Sequence, residues 1–123
     1  MMSSDKPFWH VTQVEDWYVL ELSDNHIDFR NVDILKKSIQ SNVDAKKNHV
    51  ILNLSQVSFV DSSGLGAILY CKKALEASGG KLILSNLQTY VQNLVKLTHL
   101  DKAISIYDTA SNATLDVAGQ AIG

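Results

Sequence analysis

Hydrophobic and polar residues alternate in blocks along this chain, and each block has the period of a strand or a helix. Aromatic and β-branched residues dominate 8–14 and 17–22, which predicts two strands, and the Glu15-Asp16 pair between them predicts a hairpin. Between 31 and 46, apolar residues recur every three or four positions. That spacing predicts an amphipathic helix directly after the hairpin and a polar loop.

The rest of the chain repeats a strand and then a helix. Short, nearly continuous apolar runs predict strands that are covered on both faces. Longer segments with helical spacing lie between them, and glycine residues follow the longest of these, as is typical after a helix C-terminus. The predicted elements are strands at 49–54, 81–85 and 103–107, and helices at about 61–78, 89–97 and, weakly, 112–117.

The order of these elements predicts one α/β domain. Strands separated by helices favour a mostly parallel sheet of about four to five strands, with an antiparallel N-terminal hairpin and helices packed on it. The chain has 123 residues, which is enough for a single domain with its own core. We place this domain at 8–118 and expect flexible termini at 1–7 and 119–123.

Composition and charge narrow the classes of function. Eleven basic and thirteen acidic residues leave a net charge of −2, and Arg30 is the one arginine, which disfavours a nucleic-acid binder. No apolar run approaches the roughly 20 residues of a membrane span, and 1–7 lacks the apolar segment of a signal peptide, so we expect a cytoplasmic protein without direct membrane insertion. The single Cys71 fits a reducing compartment. No paired Cys/His spacing predicts a metal site, and no cofactor is predicted.

The run Asp61-Ser62-Ser63-Gly64 carries the candidate chemistry. It connects a predicted buried strand to a predicted helix, so Asp61 is the expected N-cap, accepting a hydrogen bond from the amide of Ser63 or Gly64. Both hydroxyls then fall in the first turn, where the helix dipole stabilises an anion such as a phosphate attached to serine. The sequence is also compatible with an Asp-Ser-Ser run that only caps the helix and is not phosphorylated.

The helix that follows has two faces. One face carries small and aliphatic residues that we expect to pack on the sheet, namely Gly64, Ala67, Ile68, Cys71, Ala74 and Leu75. Leu65 and Leu69 fall on the opposite face with Lys72, one turn apart and next to the serines. We expect both leucines to be exposed, which predicts a docking surface for a partner protein.

The sequence of this segment is similar to a known family signature, Val60-Asp61-Ser62-Ser63-Gly64-Leu65-Gly66. Together with the element order, it resembles the STAS domain family, and more closely the bacterial anti-sigma factor antagonists, over about residues 9–107. The resemblance implies a binding module that is not an enzyme and has no catalytic residues. It also implies Ser63 as the phosphate acceptor, Ser62 as a minor alternative, and Asp61 and Gly64 as supporting residues.

The resemblance also implies partners. In that family a serine kinase of the histidine-kinase ATPase type, often the anti-sigma factor itself, adds the phosphate, and a PP2C-type phosphatase removes it. The unphosphorylated form binds the kinase and releases its captive regulator, whereas the phosphorylated form dissociates. The residues expected to contact the partner are Asn25, Leu65, Leu69 and Lys72. Asn25 stands where many relatives have a glycine-bearing turn, so we expect it to take a positive φ.

Two alternatives remain at this level. The first is a constitutive STAS adaptor, either a subunit of a lipid-transport ABC complex or part of a signalling assembly, in which the serines only cap the helix. The second is a serine hydrolase that pairs one of the serines with a histidine. The hydrolase is disfavoured because Gly-x-Ser-x-Gly is absent and none of the four histidines has a spacing that places it near the serines.

Overall fold

The computed structural model describes residues 9–122, and side chains are described for 10–116. Its elements are β1 (Trp9–Val14), β2 (Trp17–Leu22), β3 (His26–Ile27), α1 (Val32–Asp44), β4 (His49–Asn53), β5 (Phe59–Val60), α2 (Ser62–Ala77), β6 (Lys81–Ser85), α3 (Thr89–Leu97), a 3₁₀ turn (Leu100–Lys102), β7 (Ser105–Tyr107) and α4 (Ala110–Ile122). This order confirms the predicted single α/β domain.

Five strands form the main sheet in the order β1-β2-β4-β6-β7. β1 and β2 are antiparallel, and Val14 pairs with Trp17 across a two-residue turn. Glu15 enters that turn with a φ of 56°, which explains how a Glu-Asp pair closes the hairpin without glycine. The remaining neighbours are parallel, as predicted.

A second, two-stranded sheet was not predicted. β3 and β5 pair in parallel, with His26 opposite Phe59 and Ile27 opposite Val60. Each strand has only two residues, which is too short for a detectable alternation of polar and apolar positions. The pair brings the segment before α1 against the segment before α2.

The two faces of the main sheet are covered differently. Helices α1, α2 and α3 pack on one face and share a large apolar core with the strands. On the other face, Ala113 of α4 packs against Ile51 and Ile83. The central strand β4 is therefore buried from both sides, which confirms the prediction from its apolar run. Among the described residues, no helix combines the length and hydropathy that crossing a bilayer would require.

The ends of the chain differ in part from the prediction. The weak helix expected at 112–117 is longer and spans Ala110–Ile122. The strand expected at 103–107 begins only at Ser105. The amide of Ile104 donates to the carbonyl of Leu100 in the preceding 3₁₀ turn, so Ile104 is bonded to that turn and is not part of the strand. The segment 1–7 lies outside the described residues. The domain limits 8–118 and the flexibility of 119–123 stay predictions.

Candidate functional site

The first turn of α2 is capped by Asp61. The buried Val60 anchors the chain just before the helix, and Asp61 takes an extended backbone conformation with a φ of −97° and a ψ of −175°. Its Oδ1 accepts a hydrogen bond from the amide of Gly64 at 2.8 Å. The predicted N-cap is confirmed, with Gly64 rather than Ser63 as the amide donor.

The same carboxylate also holds the hydroxyl of Ser63. Ser63 Oγ donates to Asp61 Oδ1 at 2.7 Å, and the amide of Phe29 donates to Asp61 Oδ2 at a longer 3.4 Å. Ser63 is half-buried, whereas Ser62 is exposed and has no hydrogen bond from its hydroxyl to any described residue. The two serines therefore differ, because only Ser63 has its hydroxyl proton directed into the protein.

These hydrogen bonds keep Asp61 ionised. The hydrogen bond from Ser63 is the largest influence that lowers the pKa of the Asp61 carboxyl below its ordinary value of 3.8, and the Gly64 and Phe29 amides act in the same direction. Partial burial and the neighbouring Asp28 oppose this lowering of the pKa. The site thus contains a fixed carboxylate whose oxygen lies next to the candidate acceptor hydroxyl.

This lowered pKa predicts a pH dependence of stability. The ionised Asp61 stabilises the fold above its unfolded-state pKa of 3.8, and this contribution is lost as the pH falls below 3.8 through the folded-state value. The Asp61→Asn variant retains an oxygen acceptor but no titrating charge. We expect the parent to be the more stable protein at about pH 6, with a difference that shrinks towards about pH 3 in urea titrations. A difference that is constant or grows on acidification would contradict this assignment.

A backbone contact explains why glycine stands at position 64. A Cβ atom on Gly64 would lie 2.0 Å from the carbonyl oxygen of Ile27 and 2.8 Å from Cγ1 of Val60. The amide of Asp61 donates to the same Ile27 oxygen at 3.3 Å. The unpredicted strand β3 therefore lies directly against the start of α2, and only a residue without a side chain fits between them.

The loop after β3 is held by an ion pair between the buried Asp28 and the exposed Arg30. Arg30 Nη2 lies 2.7 Å from Asp28 Oδ2, and Arg30 Nε reaches both carboxylate oxygens at 3.1 Å. These bonds are the main reason that the pKa of the buried Asp28 is lowered, and His26 lies 3.7 Å from its Oδ1. Phe29 lies between the two paired residues, and its amide donates to Asp61, so the loop is held against the start of α2.

A buried asparagine completes this loop. The side chain of Asn31 accepts from the amide of Asp28 at 3.0 Å and donates to the carbonyl of His26 at 2.8 Å and to Asp24 Oδ2 at 3.2 Å. Sequence reasoning missed both Asp28 and Asn31. Their side-chain bonds to nearby amides are the turn chemistry typical of these residue types, which is the signal that could have identified them.

Three of the predicted partner residues lie on α2, and for two of them the expected exposure is wrong. Leu65 and Leu69 are half-buried and pack against the main core. The helical wheel of α2 does not show the other elements that contribute to this core. The third, Lys72, is half-buried and forms an ion pair with Glu76, with 2.8 Å between Nζ and Oε1.

The fourth predicted partner residue, Asn25, is exposed, but its φ is not positive. Its carbonyl accepts from the amide of Ser58 at 2.9 Å and from the Ser58 hydroxyl at 3.2 Å. The expected replacement of a positive-φ glycine by Asn25 is therefore wrong. The turn is instead held by its contact with the segment before β5.

Three exposed aromatic residues lie on, or against, the segments that contact Asp61, outside the helix on which the sequence placed the site. The exposed fractions are 75% for Phe29, 44% for Phe59 and 50% for Tyr90. The rings of Phe59 and Tyr90 stack, with 6.2 Å between their centroids and 13° between their planes. Sequence analysis missed these three residues, because only the fold brings Phe29 and Tyr90 to the segment that contains Phe59 and Asp61.

The remaining nucleophile on α2 is a core residue. Cys71 is fully buried, and this burial raises the pKa of its thiol to about 12. The core role predicted for Cys71 is confirmed.

The hydrolase alternative finds no support in the geometry. A serine nucleophile requires an imidazole that accepts the proton of its hydroxyl. Ser63 donates instead to the carboxylate of Asp61, and no histidine among the described residues hydrogen-bonds to Ser62 or Ser63.

Comparison with known proteins identifies relatives of the whole domain. The profile of the family described as "STAS domain" matches residues 9–113. A Thermotoga maritima protein named "Putative anti-sigma factor antagonist" is 30% identical over 106 residues, which are 85% of this chain and 94% of its own length. The "Anti-sigma F factor antagonist" of Paenibacillus polymyxa is 28% identical over 92 residues, which are 74% of this chain and 79% of its own length.

Solved structures agree with the sequence matches. A crystal structure from Thermotoga maritima under the same description superposes with a TM-score of 0.79 at 31% identity, covering 89% of this chain and 94% of the other. The anti-sigma factor antagonist SpoIIAA, solved in unphosphorylated and phosphorylated forms, shares the fold with a TM-score of 0.68 at 22% and 23% identity. Each SpoIIAA structure covers 89% of this chain, which covers 96% and 98% of theirs.

Proposed function

Since this chain belongs to the STAS domain family, we propose that it is a protein-binding module of the anti-sigma factor antagonist type, switched by phosphorylation of Ser63. The observation that carries the proposal is the 2.7 Å hydrogen bond from Ser63 Oγ to the ionised Asp61 at a helix N-terminus. The names of the Thermotoga and Paenibacillus relatives support the same class of function.

Asp61 orients the acceptor. The Asp61 carboxylate accepts the hydrogen bond from the Ser63 hydroxyl. The lone pairs of Ser63 Oγ therefore face away from Asp61, towards an incoming phosphoryl group. Asp61 itself is positioned by the amides of Gly64 and Phe29. Ser62 lacks such a hydrogen bond among the described residues, which supports Ser63 as the preferred acceptor.

Phosphorylation reverses the local interaction. The phosphoserine has no hydroxyl hydrogen to donate, and it adds about −1.5 to −2 charges beside the negative Asp61. The attraction between Ser63 and Asp61 therefore becomes a repulsion, and the surface around α2 gains a strong anion. A partner that binds this surface through apolar contacts loses affinity, because it would have to desolvate the phosphate.

The proposed partner is a serine kinase of the histidine-kinase ATPase type that also acts as an anti-sigma factor. The unphosphorylated chain binds this kinase and displaces its captive regulator, and phosphorylation ends the interaction. A PP2C-type phosphatase restores the binding form. The cycle needs ATP, which places it in the cytoplasm. In this role the chain is a substrate and a ligand for the kinase, and catalysis belongs to the partners.

The test uses a variant that cannot be phosphorylated. Ser63→Ala is expected to stay bound to the kinase, so immobilised Ser63→Ala should retain it from a lysate of the source organism, for identification and purification. With ATP and this purified kinase, the parent chain is expected to gain one phosphate at Ser63 in fragment mass spectra. Ser62→Ala is the matched control and should be phosphorylated like the parent. Absence of a retained kinase, or phosphate confined to Ser62, would overturn the proposal.

A further inference from the structure

We propose that Phe29, Phe59 and Tyr90 form an aromatic surface that docks the kinase acting on Ser63. This inference rests on the proposed function and identifies where the partner binds. It replaces the surface that the sequence placed on Leu65 and Leu69, since both leucines pack against the core.

The aromatic surface is unusual in its exposure. About half of Phe59 and of Tyr90 is exposed to solvent, and about three quarters of Phe29 is exposed. Single exposed apolar residues are ordinary, but several large rings around one functional group are typical of protein interfaces. Aromatic side chains supply much of the binding energy of such interfaces, because they bury a large area with few rotatable bonds.

The three residues are connected to the segment that carries Ser63. Phe29 donates its amide to the carboxylate of Asp61, which in turn holds the hydroxyl of Ser63. Phe59 lies in β5, two residues before Asp61. Tyr90 lies in the first turn of α3 and stacks on Phe59. These contacts link all three residues to the segment that carries Ser63, so we expect a protein that brings ATP to Ser63 Oγ to contact them.

The surface is also held in place by the fold. Phe59 is fixed by the pairing of β5 with β3. α3 is anchored by the buried Val91 next to Tyr90, and Gln88 at its N-terminal end donates to the carbonyl of Ser55 at 2.8 Å. Rings that are already fixed lose little conformational freedom on binding, so more of the contact energy remains as affinity.

Charge favours the kinase over a second copy of this chain as the occupant. The loop and helix start next to the rings carry the carboxylates of Asp24 and Asp61, whereas the charge of the buried Asp28 is balanced by Arg30. Self-association across this surface would place these acidic groups opposite their own copies, which disfavours the dimer. A kinase surface with an apolar centre and basic groups at its rim is complementary to it.

The experiment compares four variants with the purified kinase described above. Phe29→Ala, Phe59→Ala and Tyr90→Ala are each expected to raise the KM for the chain at least about tenfold, with kcat nearly unchanged, because they remove docking contacts and leave Ser63 and Asp61 in place. Tyr90→Phe retains the ring and should behave like the parent. Thermal unfolding of each variant checks that the fold is intact, and Phe29→Ala is the safest variant because its ring is the most exposed.

Leu115→Ala is the matched control. Leu115 is 72% exposed, but it lies on α4, on the opposite face of the sheet from α1, α2 and α3. The KM of the kinase for the Leu115→Ala variant should equal its KM for the parent chain. If the three aromatic variants match Leu115→Ala, the docking proposal is overturned and the phosphorylation switch stands.

Binding without phosphoryl transfer separates the two proposals. Titration of ADP-loaded kinase against the parent and the aromatic variants measures docking alone. If the parent binds but is not phosphorylated, the proposed function fails, and an affinity loss in Phe59→Ala still supports the surface. A dimer of the parent in sedimentation velocity that disappears in Phe59→Ala would assign the surface to a second copy and overturn the kinase as its occupant.

Discussion

Replacing Gly64 by alanine is expected to destabilise the protein by about 3 kcal/mol or more, the largest stability effect that we predict for the site. The added Cβ would lie 2.0 Å from the carbonyl oxygen of Ile27, far inside van der Waals contact. This oxygen belongs to the backbone, and it also accepts from the amide of Asp61, so it cannot move away without loss of that hydrogen bond. The clash therefore separates β3 from the start of α2.

Gly66 supplies the control within the same helix. A Cβ on Gly66 would meet nothing within 4 Å. Alanine is the better helix former by about 1 kcal/mol, so Gly66→Ala should be neutral or stabilising. Urea unfolding followed by circular dichroism measures both variants. Similar stabilities for Gly64→Ala and Gly66→Ala would mean that the start of α2 does not lie against Ile27 as described.

Phosphorylation of Ser63 is expected to weaken kinase binding on the order of 100-fold, which corresponds to roughly 2.7 kcal/mol. The anion would lie beside the ionised Asp61 and next to the aromatic surface, where a bound partner would exclude water from it. Ser63→Asp should show part of this loss, because one carboxylate carries less charge than a phosphate. Ser63→Ala should bind like the parent, since it removes only a hydroxyl that bonds within the chain.

Ser62→Asp is the control for this experiment. It adds the same charge as Ser63→Asp, but one residue earlier, at an exposed position whose hydroxyl bonds to no described residue. We expect Ser62→Asp to lose less affinity for the kinase than Ser63→Asp. Isothermal titration of the ADP-loaded kinase with each protein gives the affinities. Equal affinities for the phosphorylated and unmodified chains would contradict the switch, whatever the site of modification.

The features that depend on local sequence were predictable. Apolar runs identified β4 and β6 as buried strands, because burial from both sides leaves no polar alternation. Capping chemistry identified Asp61 from its own segment, since a helix N-terminus needs an acceptor there whatever surrounds it.

The features that depend on distant segments were not predictable in the same way. A helical wheel separates the two sides of α2 but contains no information about the elements packed around that helix, so Leu65 and Leu69 were expected to be exposed. The role of Phe29 likewise follows from the pairing of β3 with β5, which brings its amide to Asp61 from 32 residues away. Such contacts have no period and leave no pattern in a single sequence.

The short pair of β3 and β5 has a consequence for when the acceptor becomes functional. It joins segments more than 30 residues apart, and the entropy cost of closing such a loop must be met before the contact contributes stability, whereas the helices form from local contacts. Before it closes, Asp61 has neither the Phe29 amide nor the Ile27 carbonyl that position it. A newly made or unfolded chain therefore carries Ser63 without the hydrogen bonds that orient its hydroxyl, and we expect the proposed kinase to discriminate against such chains.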